Sequence, residues 1–269
     1  METPISRHSV GRSTQCVGIL LPLPSSSEDQ DNTGLMAMGV ERWSKQKKPL
    51  RIMRVEMVSI DEILPHEHII EEEIESFCAS LERKGVFFRP ILLDKKTHVV
   101  LDGHHRVEGL RRLGAKSIPA VLIDYANDDE MEVHTWYPIV WEDRDKVVSV
   151  LEGDAKVEHM GESEALTTVN DGSATFCTLP PRDGDVIVIT GVHETLLERL
   201  MEAFSVEYCD TADMANQIGD KGVLLYRRDP TKEEVIRHAK EGDLLPPKTT
   251  RHHLPYRYQD IRVPLSKLF

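Results

Sequence analysis

A mixed α/β fold in two units is predicted for this chain by three features of its sequence. Short β-branched apolar runs alternate with segments of helical period. Glycines and other turn residues punctuate them at close intervals. The alternation runs once over residues 49–138 and restarts over 139–269, so a first α/β core is followed by a second, smaller α/β unit. A length of 269 residues has room for both.

The elements follow in order. Residues 1–48 read as an N-terminal extension, because 25–34 is polar and turn-rich and buries nothing; Trp43 and the lysines at 45, 47 and 48 are a small patch at most. Residues 52–58 form a strand. An acidic helix runs from about Ile70 to Lys84 with Ile74, Phe77, Cys78 and Leu81 on one face, and Gly85 stops it. A strand over 90–94, a turn at 95–97 and a returning strand over 98–101 make a hairpin. Val107, Leu110 and Leu113 then recur at helical spacing, with Gly114 where a C-cap glycine belongs. Residues 117–124 form another strand, completing the order β, α, β-hairpin, α, β. Residues 132–138 alternate and carry Trp136 and Tyr137. In the second unit, 185–190 and 223–226 are strands, 194–204 is a helix, and Thr231 to Glu234 is a capping box opening a helix to Lys240. The polar stretch 153–181 is expected to be loop with short strands.

The chemistry concentrates at the junction Asp102-Gly103-His104-His105-Arg106, between a strand and a helix. A helix N-terminus presents unpaired N–H groups and partial positive charge, which suit an anion. Gly103 permits close backbone approach. Arg106 can grip phosphate oxygens bidentately, His104 and His105 add donors, and Asp102 can hold a metal ion on the same phosphates. The motif reads as a nucleotide-phosphate site. It also reads as Asp102 capping the helix with the histidines in solvent. A second stretch, 244–255, places two prolines ahead of Lys248, Thr249, Thr250, Arg251 and His252, a stiff lead-in to a basic, hydroxyl-rich segment.

Composition narrows the function. The net charge of −13 argues against broad DNA binding, which depends on Lys and Arg neutralising phosphates. Four cysteines without zinc spacing read as reduced thiols of a cytoplasmic protein. No apolar run approaches the roughly 18 residues of a membrane span. Neither a P-loop nor a protein-kinase motif set is present.

Asp-Gly-His-His-Arg between a strand and a helix resembles the signature of the ParB/sulfiredoxin-like fold, and in particular the free serine kinases of that superfamily. His66-Glu67, Asp102 to Arg106 and Pro246 to His252 occur in that family's order, over roughly 51–269. The resemblance implies a ParB/sulfiredoxin-like nucleotide-binding core at 49–138 and a C-terminal unit carrying the substrate segment 244–255. It implies a nucleotide-dependent kinase that moves phosphate from ADP or ATP, with Mg²⁺, to the hydroxyl of free L-serine, giving O-phospho-L-serine, usually for cysteine biosynthesis. Glu67 and Asp102 are then the catalytic carboxylates, Asp102 also the metal ligand. Gly103, His104, His105 and Arg106 hold the nucleotide phosphates. His66, Trp136, Lys248, Thr249, Thr250, Arg251 and His252 surround the serine, Arg251 holding its carboxylate. Without the resemblance, Glu67 is one surface acid among many. The alternative is a ParB-like nucleotide-dependent DNA-binding protein, which would need a helix-turn-helix and a basic face. Sulfinate reduction of the sulfiredoxin type needs a cysteine where His104 and His105 stand. No nucleic-acid or membrane partner is expected.

Overall fold

A computed structural model describes residues 48–179 and 185–269, and residues 47–269 form one compact unit. The expected N-terminal extension, Lys48 apart, lies outside the described residues. The first elements are β1 (Leu50–Arg51), β2 (Val55–Ser59), α1 (Glu71–Lys84), β3 (Val86–Phe87), β4 (Ile91–Asp94), β5 (Val100–Asp102), α2 (His104–Arg112) and β6 (Ser117–Ile123). Strands β2, β6, β4 and β5 lie side by side in one sheet, with β4 and β6 parallel and the outer pairs antiparallel.

Both faces of this sheet are covered, which is why its strands read as unbroken apolar runs. Ile91, Leu93, Val100, Ile118 and Ala120 face α1 and α2, joining Leu81, Val107 and Leu110 in one core. Leu92, Leu101, Val121 and Ile123 point the other way into a second core. Three glutamates in the first turn of α1 and Arg83 and Lys84 in its last suit the helix dipole, and Gly85 ends it at φ 65°. Helices α1 and α2 touch at Gly109, where an added Cβ would lie 2.6 Å from Phe77.

The expected strand over 132–138 is two strands in two sheets, β7 (Glu132–His134) and β8 (Tyr137–Val140), broken at Thr135 and Trp136. Asp229 enforces the break: its Oδ1 accepts the Thr135 N–H at 2.8 Å, and its Oδ2 lies 3.0 Å from His134 Nδ1. The chain continues through α3 (Arg144–Leu151), β9 (Ala155–Met160), α4 (Glu162–Asn170), β10 (Phe176–Leu179), β11 (Val186–Gly191), α5 (His193–Ala203), β12 (Val206–Cys209), α6 (Met214–Ile218), β13 (Val223–Tyr226) and α7 (Lys232–Glu241). An antiparallel sheet of order β12-β8-β13-β10-β11-β9 forms the centre of this part. Thr231 caps α7 through the expected capping box.

The stretch 153–181 departs from expectation. It holds two strands, β9 and β10, and the helix α4. Only Ala165 and Val169 of α4 are buried, one turn apart. So thin a stripe leaves no periodic signal, and tertiary packing decides the helix.

Helix α7 and the final segment return to the first sheet. Val235, Ala239, Leu254 and Tyr256 complete its second core. Strands β14 (Arg251–His253), β15 (Arg257–Tyr258) and β16 (Val263–Pro264) pair with β7, β1 and β3. Leu268 enters the first core, and its carbonyl accepts the N–H of Lys116 at 2.7 Å. The expected boundary between 138 and 139 therefore falls inside β8 of the six-stranded sheet, and the last part of the expected second unit packs on the four-stranded one.

The β4–β5 hairpin depends on one buried acid. Asp94 accepts from the N–H and hydroxyl of Thr97 at 2.9 and 2.6 Å, and from the buried N–H of Tyr125 at 3.1 Å. Asp94→Ala strands these donors and is expected to lower the unfolding free energy by about 1–3 kcal/mol for the Tyr125 N–H alone. Urea unfolding measures it, and an unchanged midpoint would contradict the assignment.

Candidate active site

A cleft of about 1030 Å³ opens where β5 meets α2 and is closed on its other sides by residues 67–70, 247–254 and 256–260. Its size is at the upper end for small-ligand sites. Glu67, Asp102, Gly103, His104, His105, Arg106, Trp136, Lys248, Thr250, Arg251 and His252 all line it. Eleven of the thirteen residues expected at the site are thus brought together across some 185 positions of sequence. His66 and Thr249 do not line it. His66 is buried behind Thr250, and the Thr249 hydroxyl turns back to the Pro246 carbonyl at 2.8 Å.

At one end, Gly103 is the N-cap of α2, with φ 114°. A Cβ there would sit 2.6 Å from Ile91 Cγ2, so both the left-handed backbone and the crowding select glycine. Asp102 does not cap the helix. Its Oδ2 accepts from Arg106 Nη2 and from the Tyr258 hydroxyl, each at 2.8 Å, and Arg89 stands 3.8 Å away. Its Oδ1 takes no hydrogen bond from the described residues. Burial pushes the Asp102 carboxyl up, but Arg106, Tyr258 and Arg89 together outweigh it and hold it below the usual carboxylate range. Arg106 also donates to the carbonyls of Arg89 and Pro90 at 2.9 and 2.7 Å. It is anchored before any ligand arrives.

At the other end sits Glu67. Its loop is zipped to the chain near Leu245: His68 N donates to the Leu245 carbonyl at 2.8 Å, and Leu245 N to the His66 carbonyl at 2.9 Å. This pairing sets Glu67 opposite Thr250, whose backbone N–H and hydroxyl both donate to Glu67 Oε1. His66 Nε2 lies 2.8 Å from the same hydroxyl. Because that hydroxyl gives its proton to Glu67, His66 serves it as donor. Burial raises the Glu67 carboxyl to about 7, against the Thr250 bonds and the charge of Arg227, which pull it down.

Between the two ends the histidines are neutral. His66 and His104 stack edge-on at 4.4 Å, and His66 and His252 at 5.6 Å. Burial drives His104 down to about 3, and His66 and His252 well below their usual value. His105 is also lowered by burial; its Nε2 accepts from Ile70 N at 3.0 Å and its Nδ1 lies 3.1 Å from Glu73. These rings offer hydrogen bonds rather than positive charge.

Several residues at the site had no signal in the sequence. Glu73 holds Lys248 Nζ at 3.1 Å as well as His105. Asp210 holds Arg251 at 2.5 Å, and the Arg251 guanidinium lies 4.7 Å over the Trp136 ring. Arg251 thus already has an acid partner. Tyr258, Arg89 and the buried Arg227 belong to the same set, as does Asp260 on the cleft wall. Each meets its partner across a long sequence separation and belongs to no local pattern. Among the described residues no group of three or more His, Cys, Asp or Glu is disposed to hold a metal by itself, and no helix is long and apolar enough to cross a membrane.

The raised Glu67 carboxyl has a stability signature. The folded protein keeps a proton that the unfolded chain, titrating near 4.5, releases first. The Glu67 contribution to stability therefore falls as pH rises from about 4.5 through about 7. Glu67→Gln is expected to remove this contribution and to be more stable than the parent at pH 8 by up to about 3 kcal/mol. Urea unfolding at pH 5 and pH 8 reads the difference; parallel curves for the two proteins would refute it.

No protein-family profile matches the chain. It is 34% identical to an ADP-dependent L-serine kinase of Thermococcus kodakarensis over 246 residues, covering 86% of this chain and 100% of that protein. It is 29% identical to an ATP-dependent L-serine kinase of Staphylothermus marinus, covering 82% and 93%. A solved free serine kinase in complex with AMP superposes with a TM-score of 0.72 at 32% identity, covering 84% of this chain and 98% of that one. With the motifs in order, the fold shared and the full length of a relative matched, the chain belongs to the free L-serine kinase family.

Proposed function

We propose that this protein transfers a phosphoryl group from ADP or ATP to the hydroxyl of free L-serine, releasing O-phospho-L-serine and the shortened nucleotide. The observation that carries the reading is the pair of carboxylates in one cleft, set in opposite environments. Asp102 is held ionised beside a helix N-terminus, and Glu67 is poised near pH 7. Separated carboxylate pKa values of this kind mark acid–base assignments. Phosphoryl transfer asks chiefly for positioning, charge stabilisation and a group to take the hydroxyl proton.

Glu67 takes that proton from serine. The uncapped N–H groups at the head of α2 and the backbone of Gly103 receive the phosphates. His104 and His105 contribute by hydrogen bonding, and Arg106 by charge. Lys248 and Arg251 offer cations for the serine carboxylate, each steadied by an acid, Glu73 and Asp210. Trp136, Thr250 and His252 wall the serine end, with His66 and Thr249 supporting them from behind. Mg²⁺ fits this donor set: it prefers one or two carboxylates with phosphates and water, and Asp102 has Oδ1 unengaged. Bound there, it would neutralise phosphate charge. We place residues 49–138 as the nucleotide-holding part, 139–269 as the part that brings in segment 244–255, and 1–48 outside the chemistry except for Lys48, which lines the cleft. We assign the protein to the cytoplasm and its product to cysteine biosynthesis. The balance of −13 supports a small-molecule acceptor rather than a nucleic acid.

Incubation of the full chain with L-serine, Mg²⁺ and either ADP or ATP should yield phosphoserine, detected by ³¹P NMR. No product with either nucleotide would overturn the proposal. The kcat/KM for serine should fall as pH drops through about 7, where Glu67 protonates. Glu67→Gln should keep nucleotide affinity and lose turnover by about 10²–10⁴. Asp102→Asn should abolish the Mg²⁺ dependence of nucleotide binding, read by calorimetry with and without EDTA; an undiminished dependence would remove Asp102 as the metal ligand.

A further inference from the structure

Arg227 follows the last residue of β13 and is 4% exposed. Its Nη1 donates to His193 Nε2 at 2.7 Å, and its Nη2 donates to the carbonyls of Trp136, at 2.6 Å, and Lys248. Among the described residues no carboxylate lies within ion-pair distance of it, and its Nε has no partner. A buried cation so placed is costly, and an apolar side chain would fill the space more cheaply. What an apolar side chain lacks is the planar fork that reaches three segments at once.

Two of those segments are walls of the cleft. Trp136 sits in the break between β7 and β8, and Lys248 in the loop ahead of β14. Lys248 has φ 64°, a left-handed backbone that a lysine rarely adopts and that its surroundings must impose. Arg227 holds the carbonyl of this residue. Two positions on, Thr250 turns its N–H and hydroxyl to Glu67.

We propose that Arg227 is the positioning residue for the serine end of the cleft: its grip on the Trp136 and Lys248 carbonyls fixes the backbone that aims Thr250 at Glu67. The assignment deepens the serine-kinase reading and rests on it for its kinetic readouts alone. Arg227 also acts on Glu67 through charge. The titratable groups around Glu67 are His66 and His68 on its own loop, His104 at the head of α2, and Arg227; Lys248 on the facing loop turns its backbone to Glu67 and its ammonium to Glu73. His104 is neutral, so after the two Thr250 hydrogen bonds Arg227 supports the ionised carboxylate by its charge.

Arg227→Lys and Arg227→Met in the full chain separate geometry from charge. In both, amide hydrogen exchange over 248–252 should quicken while that of α2 stays unchanged. In both, kcat/KM for serine should fall about ten- to a hundred-fold, the cost of a misplaced substrate wall, with nucleotide Kd within two-fold of the parent. Arg227→Lys keeps the charge and should leave the acidic limb of the pH profile in place. Arg227→Met should move that limb to higher pH. Unchanged exchange over 248–252 in folded variants overturns the proposal, as does a parallel loss of serine and nucleotide binding. If exchange quickens but the parent chain makes no phosphoserine, the serine-kinase reading fails and the positioning role stands.

Discussion

Thr250 directs both of its donors onto one oxygen of Glu67, and the arrangement of the rest of the molecule follows from keeping those two residues together. They lie 183 positions apart. No local turn can join them. The loop at 66–68 must be zipped to Leu245, α7 must bring the chain back over the first sheet, and β14 must pair with β7. A carboxylate buried this deeply is stable only with its hydrogen bonds made. Misplacing Thr250 would leave Glu67 buried and unsatisfied.

The cleft sorts its polar groups by environment rather than by residue type. Two of the acids that line it, Asp102 and Glu67, differ because one has Arg106, Arg89 and Tyr258 beside it, while burial of the other outweighs the Thr250 hydroxyl and amide and the charge of Arg227. The histidines, which look cationic in a list of residues, are kept neutral by the same burial. Positive charge at the site is carried by arginine and lysine, each tethered: Arg106 to Asp102, Arg251 to Asp210, Lys248 to Glu73. Tethering limits the motion that binding would otherwise have to arrest.

What could be read from the sequence was local. Asp102 to Arg106 announced a strand, a turn and a helix start because all three lie within a dozen residues and each has its own chemistry. The hairpin and the capped helix at Thr231 were legible for the same reason. The segment 244–255 carried little by itself, and its place beside the cleft came from family resemblance. Helix α4 is not legible because only two of its residues are fully buried, with Leu166 partly so beside them. The break at Thr135 was missed because the residue that makes it, Asp229, is 94 positions away. Arg227, Tyr258, Asp210 and Glu73 are single polar residues with no period, and their importance exists only once the fold has closed.

The late return of the chain to its first sheet sets an order of assembly. Leu268 seals the core beneath α2, and Tyr258 reaches Asp102 from 156 positions away. A polypeptide emerging from the ribosome therefore carries the nucleotide-facing turn long before it carries the strands that flank it. Contacts of such large sequence separation close slowly, because the entropy of the loop is lost before the contact is gained. Until residues 245–268 are out, the cleft lacks the walls that they supply, and a nascent chain has neither the buried carboxylate nor the enclosure that would let it consume nucleotide.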